Sequence, residues 1–314
     1  MKNFILDVDT GVDDAFALLF AARHPEINLL GVTCVDGNTN LKQVVINTLK
    51  VLDAAEAGDI PVGVGATRPL IDEPRYAEHV HGKDGLGDMG YPESARKVDP
   101  RPAVELMRDL IEGSSEPVTL IPLAPLTNIA LFLRAFPESA KKVERIVLMG
   151  GSASQGNATA TAEFNIWHDP EAAAIVFQSG IPITMYGLDV FNQLRMNKSF
   201  SERLLATSHA PSTFGGRLID AMLSRLNYEI TLGDYGAVAV ALYPELATQE
   251  TMKVMVDTTF GPNRGATICD HRPEEFQERN YTKTWLEQNP GVQVCKTIKV
   301  DELRELWMET LSRP

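Results

Sequence analysis

Phe4-Ile5-Leu6-Asp7-Val8-Asp9-Thr10-Gly11-Val12-Asp13-Asp14 is an apolar strand pattern that ends in four carboxylates within eight positions. Residues 3–8 predict a buried first strand, and residues 15–23 a helix whose N-terminus falls at Asp13-Asp14. Carboxylates packed this closely repel one another, and in a half-buried site the repulsion is prohibitive unless something positive sits among them. A divalent cation answers that need. Ligands that are all oxygen point to a hard ion, Ca²⁺ or Mg²⁺, rather than zinc. The competing reading is helix capping, with Asp13 or Asp14 favouring the helix dipole. Two features weigh against it. Asp9 lies at the strand end rather than in the helix, and Gly11 allows a tight turn that brings it back toward Asp14.

Outward from this stretch, short β-branched runs alternate with helical patterns. Strands are expected over 29–34, 62–65, Val118–Pro122, 146–149 and Ile183–Tyr186, and helices over 41–57, 103–111, 126–136 and 171–178. The rhythm predicts an α/β fold: a mostly parallel central sheet with helices on both faces. The C-terminal third is less regular, helical over 217–225 and after Asp234, then strand-like over 252–257 and Thr267–Cys269. Residues 67–102 break the rhythm with Gly, Pro and charge, and a long loop inside a compact domain is usually functional, often a lid. No repeat or low-complexity linker divides residues 1–314, so one domain is expected.

Composition narrows the function. The net charge is −13, from 29 basic against 42 acidic residues, and the basic residues form no run. Nucleic acid and anionic membrane surfaces are therefore not expected partners. Cys34, Cys269 and Cys295 show no CxxC spacing, which excludes a zinc ribbon and a disulfide framework from the expectation. There is no signal-like h-region, and no apolar stretch approaches the roughly 18 residues of a membrane span. A cytoplasmic enzyme is the expected class.

The second chemical cluster is Leu148-Met149-Gly150-Gly151, then Asn157, then Ala162-Glu163-Phe164-Asn165-Ile166-Trp167-His168-Asp169-Pro170. Two amides and a carboxylate after a strand suit several hydroxyls, as on a sugar, better than a phosphate; ordinary turn chemistry is the alternative. Asp169-Pro170 reads as an N-cap with Pro at the first helical position. Gly82-Lys83 is followed by Asp84, so there is no Walker A loop, and neither GxGxxG nor GxSxG occurs in place. His79 and His81 are spaced for a loop rather than one helix face, and lack zinc partners. His24, His168, His209 and His271 are scattered and read as structural.

Asp7-x-Asp9-x-Gly11-x-Asp13-Asp14-Ala15 resembles the opening motif of the inosine-uridine-preferring nucleoside hydrolase family. Four later segments agree in order: Val35-Asp36-Gly37-Asn38, His81-Gly82-x-x-Gly85-Leu86, Ala124-Pro125-Leu126-Thr127-Asn128-Ile129-Ala130, and Met149-Gly150-Gly151 through Ala162-Glu163-Phe164-Asn165. Gly187-Leu188-Asp189 and Asn263-Arg264-Gly265 look like further landmarks, so the resemblance covers nearly the whole chain. It implies a Ca²⁺ at the C-terminal edge of the sheet, held by Asp9, Asp14, Asp234 and the backbone carbonyl of Thr127. It also implies that Asp13, Asn157, Glu163 and Asn165 hold the ribose hydroxyls, with Asn38 bordering the pocket, and that Asp9 is the general base toward the attacking water. Asp7 is left a supporting residue. The implied activity is Ca²⁺-dependent hydrolysis of purine or pyrimidine ribonucleosides to base and ribose for salvage, by a homodimer or homotetramer.

One position departs from the family. A histidine that serves as leaving-group acid precedes the last metal aspartate in the inosine-uridine group, and some relatives carry Trp; here it is Gly233. Phe191-Asn192 likewise stand where Thr and a basic residue are common. His81, Tyr228 and Tyr235 are the candidates for a donor or base-stacking role, with His81 also a substrate contact. A haloacid-dehalogenase-like phosphohydrolase would want Thr or Val at position 11, where Gly stands. A nucleoside- or ribose-binding member that has lost catalysis at Gly233 is the alternative function.

Overall fold

A computed structural model of the chain describes residues 1–226, 229–272 and 291–313. Its strands are β1 (Lys2–Val8), β2 (Ile27–Cys34), β3 (Val62–Val64), β4 (Val118–Pro122), β5 (Val143–Met149), β6 (Ile183–Tyr186), β7 (Arg195–Met196), β8 (Ile230–Thr231), β9 (Ala247–Val256), β10 (Thr267–Cys269) and β11 (Gly291–Ile298). Nine of them form one sheet in the order β10-β9-β11-β6-β5-β4-β1-β2-β3. Every pair from β11 to β3 is parallel, while β9 adds antiparallel to β11 and β10 antiparallel to β9.

Side-chain alternation divides the strands between two cores. Phe4, Leu6 and Val8 of β1, with Val147 and Met149 of β5, face the helices Val12–Arg23, Leu41–Ala54, Gly233–Leu242 and Val300–Ser312. Ile5, Leu120, Ile146 and Leu148 face the other way, toward Ala103–Gly113, Thr127–Ala135 and Pro170–Phe177. The sheet is thus covered on both faces, as the near-continuous apolar strands require. Trp307 is fully buried on the first face, its ring edge against Phe16 and its N–H donated to the Phe16 carbonyl at 3.1 Å.

The strands and helices expected before residue 190 lie where the sequence pattern puts them, within a few residues, whereas the helix expected over 217–225 begins at Ala210 and the strand expected over 252–257 begins at Ala247. β11 and the helices Lys198–Leu205 and Val300–Ser312 were not anticipated. In the loop 67–102, the one-turn helix Glu78–His81 carries both His79 and His81, correcting their reading as loop histidines. Among the described residues no helix is long and apolar enough to cross a membrane.

Candidate active site

From β1 the chain steps outward through β2 to β3, then returns to β4 on the other side of β1 and proceeds to β5 and β6. The crevice between the carboxyl ends of β1 and β4 is the switch point at which open parallel sheets bind ligands. Asp9 follows β1 directly, Thr127 and Asn128 open the helix after β4, and Asp13-Asp14 lie in the first turn of the helix after β1. Asp234, the second residue of Gly233–Leu242, completes the acidic group.

Carboxylate oxygens of Asp13, Asp14 and Asp234 all lie within 4.8 Å of one another. Asp14 also caps its helix, accepting the Gly11 N–H at 3.0 Å, together with the Asp9 N–H and the Asn38 side-chain amide at 3.2 Å each. Capping and clustering are therefore both true of one residue. Asp9 accepts the Asn38 N–H at 2.7 Å on one oxygen, while its other oxygen has no partner. One buried oxygen of Asp13 and one of Asp234 are equally unpartnered. Burial, then repulsion from Asp13, raises the Asp14 carboxyl to about 7. Burial and neighbouring carboxylates push Asp9 and Asp234 well above the ordinary range too. Among the described residues, no lysine or arginine forms an ion pair with any of these four. Unpartnered, all-oxygen and uncompensated, this donor set fits a hard divalent cation. Asp13 stands in the cluster, not only on the sugar side.

Asp7 is not part of it. Its carboxyl accepts the Thr33 hydroxyl at 2.6 Å and the Asn128 amide at 2.8 Å, bracing β1 against β2 and the helix after β4. Gly11 matters for a reason other than the one its sequence suggests. Its φ of −98° is open to any residue, but a Cβ there would lie 2.7 Å from His81 Nδ1 and 2.8 Å from the Asn38 amide nitrogen.

A pocket of 380 Å³ opens over the cluster. Asp13, Asn38, Asn157, Glu163, Asn165 and Asp234 supply polar side chains to its lining, and Tyr76, Val80, His81, Phe164, Trp167 and Phe191 supply aromatic and apolar ones. Glu163 caps the helix Phe164–His168, accepting N–H groups from Asn165 at 2.9 Å, Ile166 at 3.1 Å and Gly151 at 2.9 Å; burial raises it to about 7. The Asn157 side-chain oxygen accepts the Phe164 N–H at 2.9 Å, which leaves its NH₂ to donate. Asn165 is the converse. Its NH₂ is spent on the Leu123 and Met149 carbonyls at 2.9 and 3.2 Å, which leaves its oxygen to accept. A larger depression of 510 Å³, around Arg134, Lys141 and Gln178, carries none of these residues.

His81 is buried at the inner wall. The Val12 N–H donates to its Nδ1 at 3.2 Å, which leaves the neutral ring's proton on Nε2. Burial lowers its pKa despite Asp13 Oδ1 at 3.7 Å. Tyr228 lies outside the described residues. Tyr235 belongs to the core instead of the site: it is fully buried against Phe20 and donates its hydroxyl to the Leu303 carbonyl at 2.8 Å.

The long loop is pinned rather than free. Arg264 holds Asp72 at 2.9 and 3.1 Å and Glu171 at 2.8 and 2.9 Å. Asp169 caps its helix through the Ala172 N–H at 3.1 Å, with Pro170 at the first helical position as expected. The same carboxyl also accepts the Leu70 N–H at 2.9 Å and the Thr127 hydroxyl at 2.7 Å, joining loop to site. Arg75 stacks 4.3 Å over Trp167, and the Tyr76 hydroxyl donates to Asp36 at 3.3 Å. Arg75, Tyr76, Phe164 and Trp167 had no assigned role in the sequence; one signal was the aromatic pair flanking Asn165.

Carboxylates and complementary amides beside aromatic side chains in one pocket suit hydrolytic chemistry on an uncharged, hydroxyl-rich molecule. The model of the Inosine-uridine preferring nucleoside hydrolase family matches residues 4–305, and the chain belongs to that family. It is 42% identical over 276 residues to the pyrimidine-specific ribonucleoside hydrolase RihA of Shewanella baltica, covering 86% of each chain. Among solved structures, a plant nucleoside hydrolase superposes with a TM-score of 0.92 at 30% identity over 100% of this chain and 99% of that one. A purine-preferring ribonucleoside hydrolase from Gardnerella vaginalis gives 0.89 at 32% identity, covering 99% and 98%. The protein is a nucleoside hydrolase.

Proposed function

We propose that this enzyme is a Ca²⁺-dependent ribonucleoside N-ribohydrolase of nucleoside salvage, acting on pyrimidine nucleosides. The carrying observation is the set of buried, unpartnered oxygens of Asp9, Asp13 and Asp234, of which Asp13 and Asp234 line a pocket whose wall offers Asn157 as donor and Asn165 as acceptor. Likeness to pyrimidine-specific RihA supports the choice of base class.

Asp9, Asp14, Asp234 and the Thr127 carbonyl would hold the ion, with Asp13 near enough to share it. When bound, the cation supplies positive charge that keeps these carboxylates ionised at neutral pH and favours deprotonation of water. Asp13, Asn157, Glu163 and Asn165 grip the ribose hydroxyls, using binding energy remote from the reacting carbon. Asp9 takes a proton from the attacking water as oxygen bonds to C1′. The C1′–N bond breaks with its electron pair leaving on the base, and surrounding carboxylates stabilise the oxocarbenium character of the sugar. The departing base takes up a proton, for which Tyr228 and His81 in its doubly protonated form are the candidate donors; burial disfavours that form of His81 and Asp13 Oδ1 at 3.7 Å favours it.

Ribose release from uridine, cytidine, inosine, guanosine and adenosine, with and without chelator, tests the proposal. Release from uridine and cytidine that chelator abolishes and Ca²⁺ restores is expected. No ribose from any nucleoside would sink the substrate assignment, and turnover indifferent to chelator would sink the metal. His81→Ala and Tyr228→Phe identify the donor: a loss confined to one class of base marks the residue that serves it.

A further inference from the structure

Gly233 sits where a side chain has no room. A Cβ built there lies 1.6 Å from the Phe191 ring at Cε2 and 2.1 Å from Cδ2 and Cζ. The ring therefore occupies the volume that any residue at 233 would claim. The contact is also held in place. Phe191 closes the short helix Leu188–Phe191, and β7 just beyond it pairs antiparallel with β8 just before Gly233: Arg195 with Thr231, Met196 with Ile230. The Leu232 N–H adds a hydrogen bond to the Leu194 carbonyl at 2.9 Å. The two segments that carry the ring and the glycine cannot drift apart without breaking this ladder.

On its other side the ring borders two spaces. It lines the 380 Å³ pocket over the carboxylates, and it lines a second chamber of 130 Å³ walled by Val12, Val80, Met222, Leu226 and Ile230. Asp13, Val80 and His81 line both spaces as well, so Phe191 forms part of the partition between them.

We propose that Phe191 is the base-selecting residue of this enzyme. Its ring, seated in the space left by Gly233, closes the pocket toward the side chamber and presents an apolar face to the base. The inference rests on the ribonucleoside reading above and deepens it. With the partition in place the base compartment suits a one-ring base; with the ring removed the two spaces merge and a two-ring base gains room. An aromatic face also contributes by stacking in a way that is indifferent to the hydrogen-bonding edge.

The experiment measures kcat/KM for uridine, cytidine, inosine and adenosine in the wild type, Phe191→Ala, Gly233→Ala and the double variant, with inhibition by free ribose as a readout of the sugar site. Phe191→Ala should raise the purine-to-pyrimidine ratio about tenfold, the scale on which shape alone discriminates substrates. Ribose inhibition should stay within about twofold, since the sugar-binding carboxylates and amides are untouched. Gly233→Ala should cost about tenfold or more beside Phe191, because the methyl drives the ring from its seat, and about twofold or less in the Phe191→Ala background. Should the alanine variant not fold, Phe191→Leu carries the test, with a smaller shift of the ratio in the same direction. A ratio unmoved by loss of the ring, or a Gly233→Ala cost equal in both backgrounds, overturns the proposal. A wild type that hydrolyses no nucleoside overturns the substrate reading beneath it, a distinguishable result.

Discussion

The two ends of the pocket are built in opposite ways. The acidic end is made by helix first turns beside strand ends: Asp13 and Asp234 line it, Asp14 lies within 4.8 Å of both, and Asp9 follows β1 directly. Its side chains are held by backbone N–H groups, as Asp9 is by Asn38 and Glu163 by Gly151, Asn165 and Ile166. The aromatic end comes from loops and short helices that carry Tyr76, His81, Phe164, Trp167 and Phe191, and the first of these segments is tied down by a distant side chain, Arg264, through Asp72. Geometry set by the sheet can be precise enough for bond breaking, whereas loops can change without disturbing the core. Changes at the acidic end should therefore reduce turnover of every nucleoside alike, and changes at the loop end should alter the ratio between bases.

The hardest blow to that contrast is Asp9→Ala. Loss of a general base costs about 10²–10⁴-fold, and kcat/KM should fall by about 10³-fold equally for uridine, cytidine and any purine nucleoside turned over. A fall of less than about tenfold, or one confined to a single base, would move Asp9 out of the shared machinery.

Arg264→Ala strikes the other end. It leaves Glu171 without its cation and Asp72 with only Arg75 at 3.8 Å, both carboxylates being largely buried, and loosens the segment that carries Arg75 and Tyr76. Stability should fall by about 2 kcal/mol, less than for a fully buried pair because both carboxylates keep some solvent. KM should rise more than kcat falls, by amounts that differ between bases. Denaturant unfolding and Michaelis kinetics check the two parts. A uniform drop in kcat with unchanged KM would show that the loop serves the chemistry itself.

The same contrast explains what the sequence could reveal. The strand-helix alternation and the acidic run at Asp9, Asp13 and Asp14 were legible because period, composition and local spacing encode them. Asp169 as a cap was legible too, through Pro170. Asp234 could be placed only through a family motif, since it is 220 residues from Asp14 and no local pattern joins them. Arg75, Trp167 and the partition formed by Phe191 depend on tertiary contacts between loops, which carry no periodicity. Tyr235 shows the opposite error. It was a candidate for a donor or base-stacking role, but the helix turns it into the core, where the Leu303 carbonyl accepts its hydroxyl proton. Gly11 was read for its turn, yet its small size is needed for the approach of His81 and Asn38.

The gentlest test concerns stability of the metal-free protein with pH. Asp7 and Asp14, ordinarily near 3.8, and Glu163, ordinarily near 4.5, are each raised to about 7 in the fold, with burial the first cause. The folded state therefore holds protons that the unfolded chain has released between about pH 4 and 7. Stability from these groups is fully present below about pH 4, declines as pH rises, and is gone above about 7. His24, lowered mainly by burial, works in the other direction: the unfolded chain takes its proton first as pH drops below about 6.5, which blunts the gain on acidification. In chelator, the thermal midpoint should thus drift down by a few degrees from about pH 5 to 8. Added Ca²⁺ should raise it, and most at the upper end, where the carboxylates are ionised and ready to bind. Asp234→Asn should flatten both trends, since it removes one of the mutually repelling charges and one of the ligands together. A midpoint that climbs with pH in chelator, or a Ca²⁺ effect that is largest at pH 5, would mean that the acidic floor is compensated by some charge other than a bound cation.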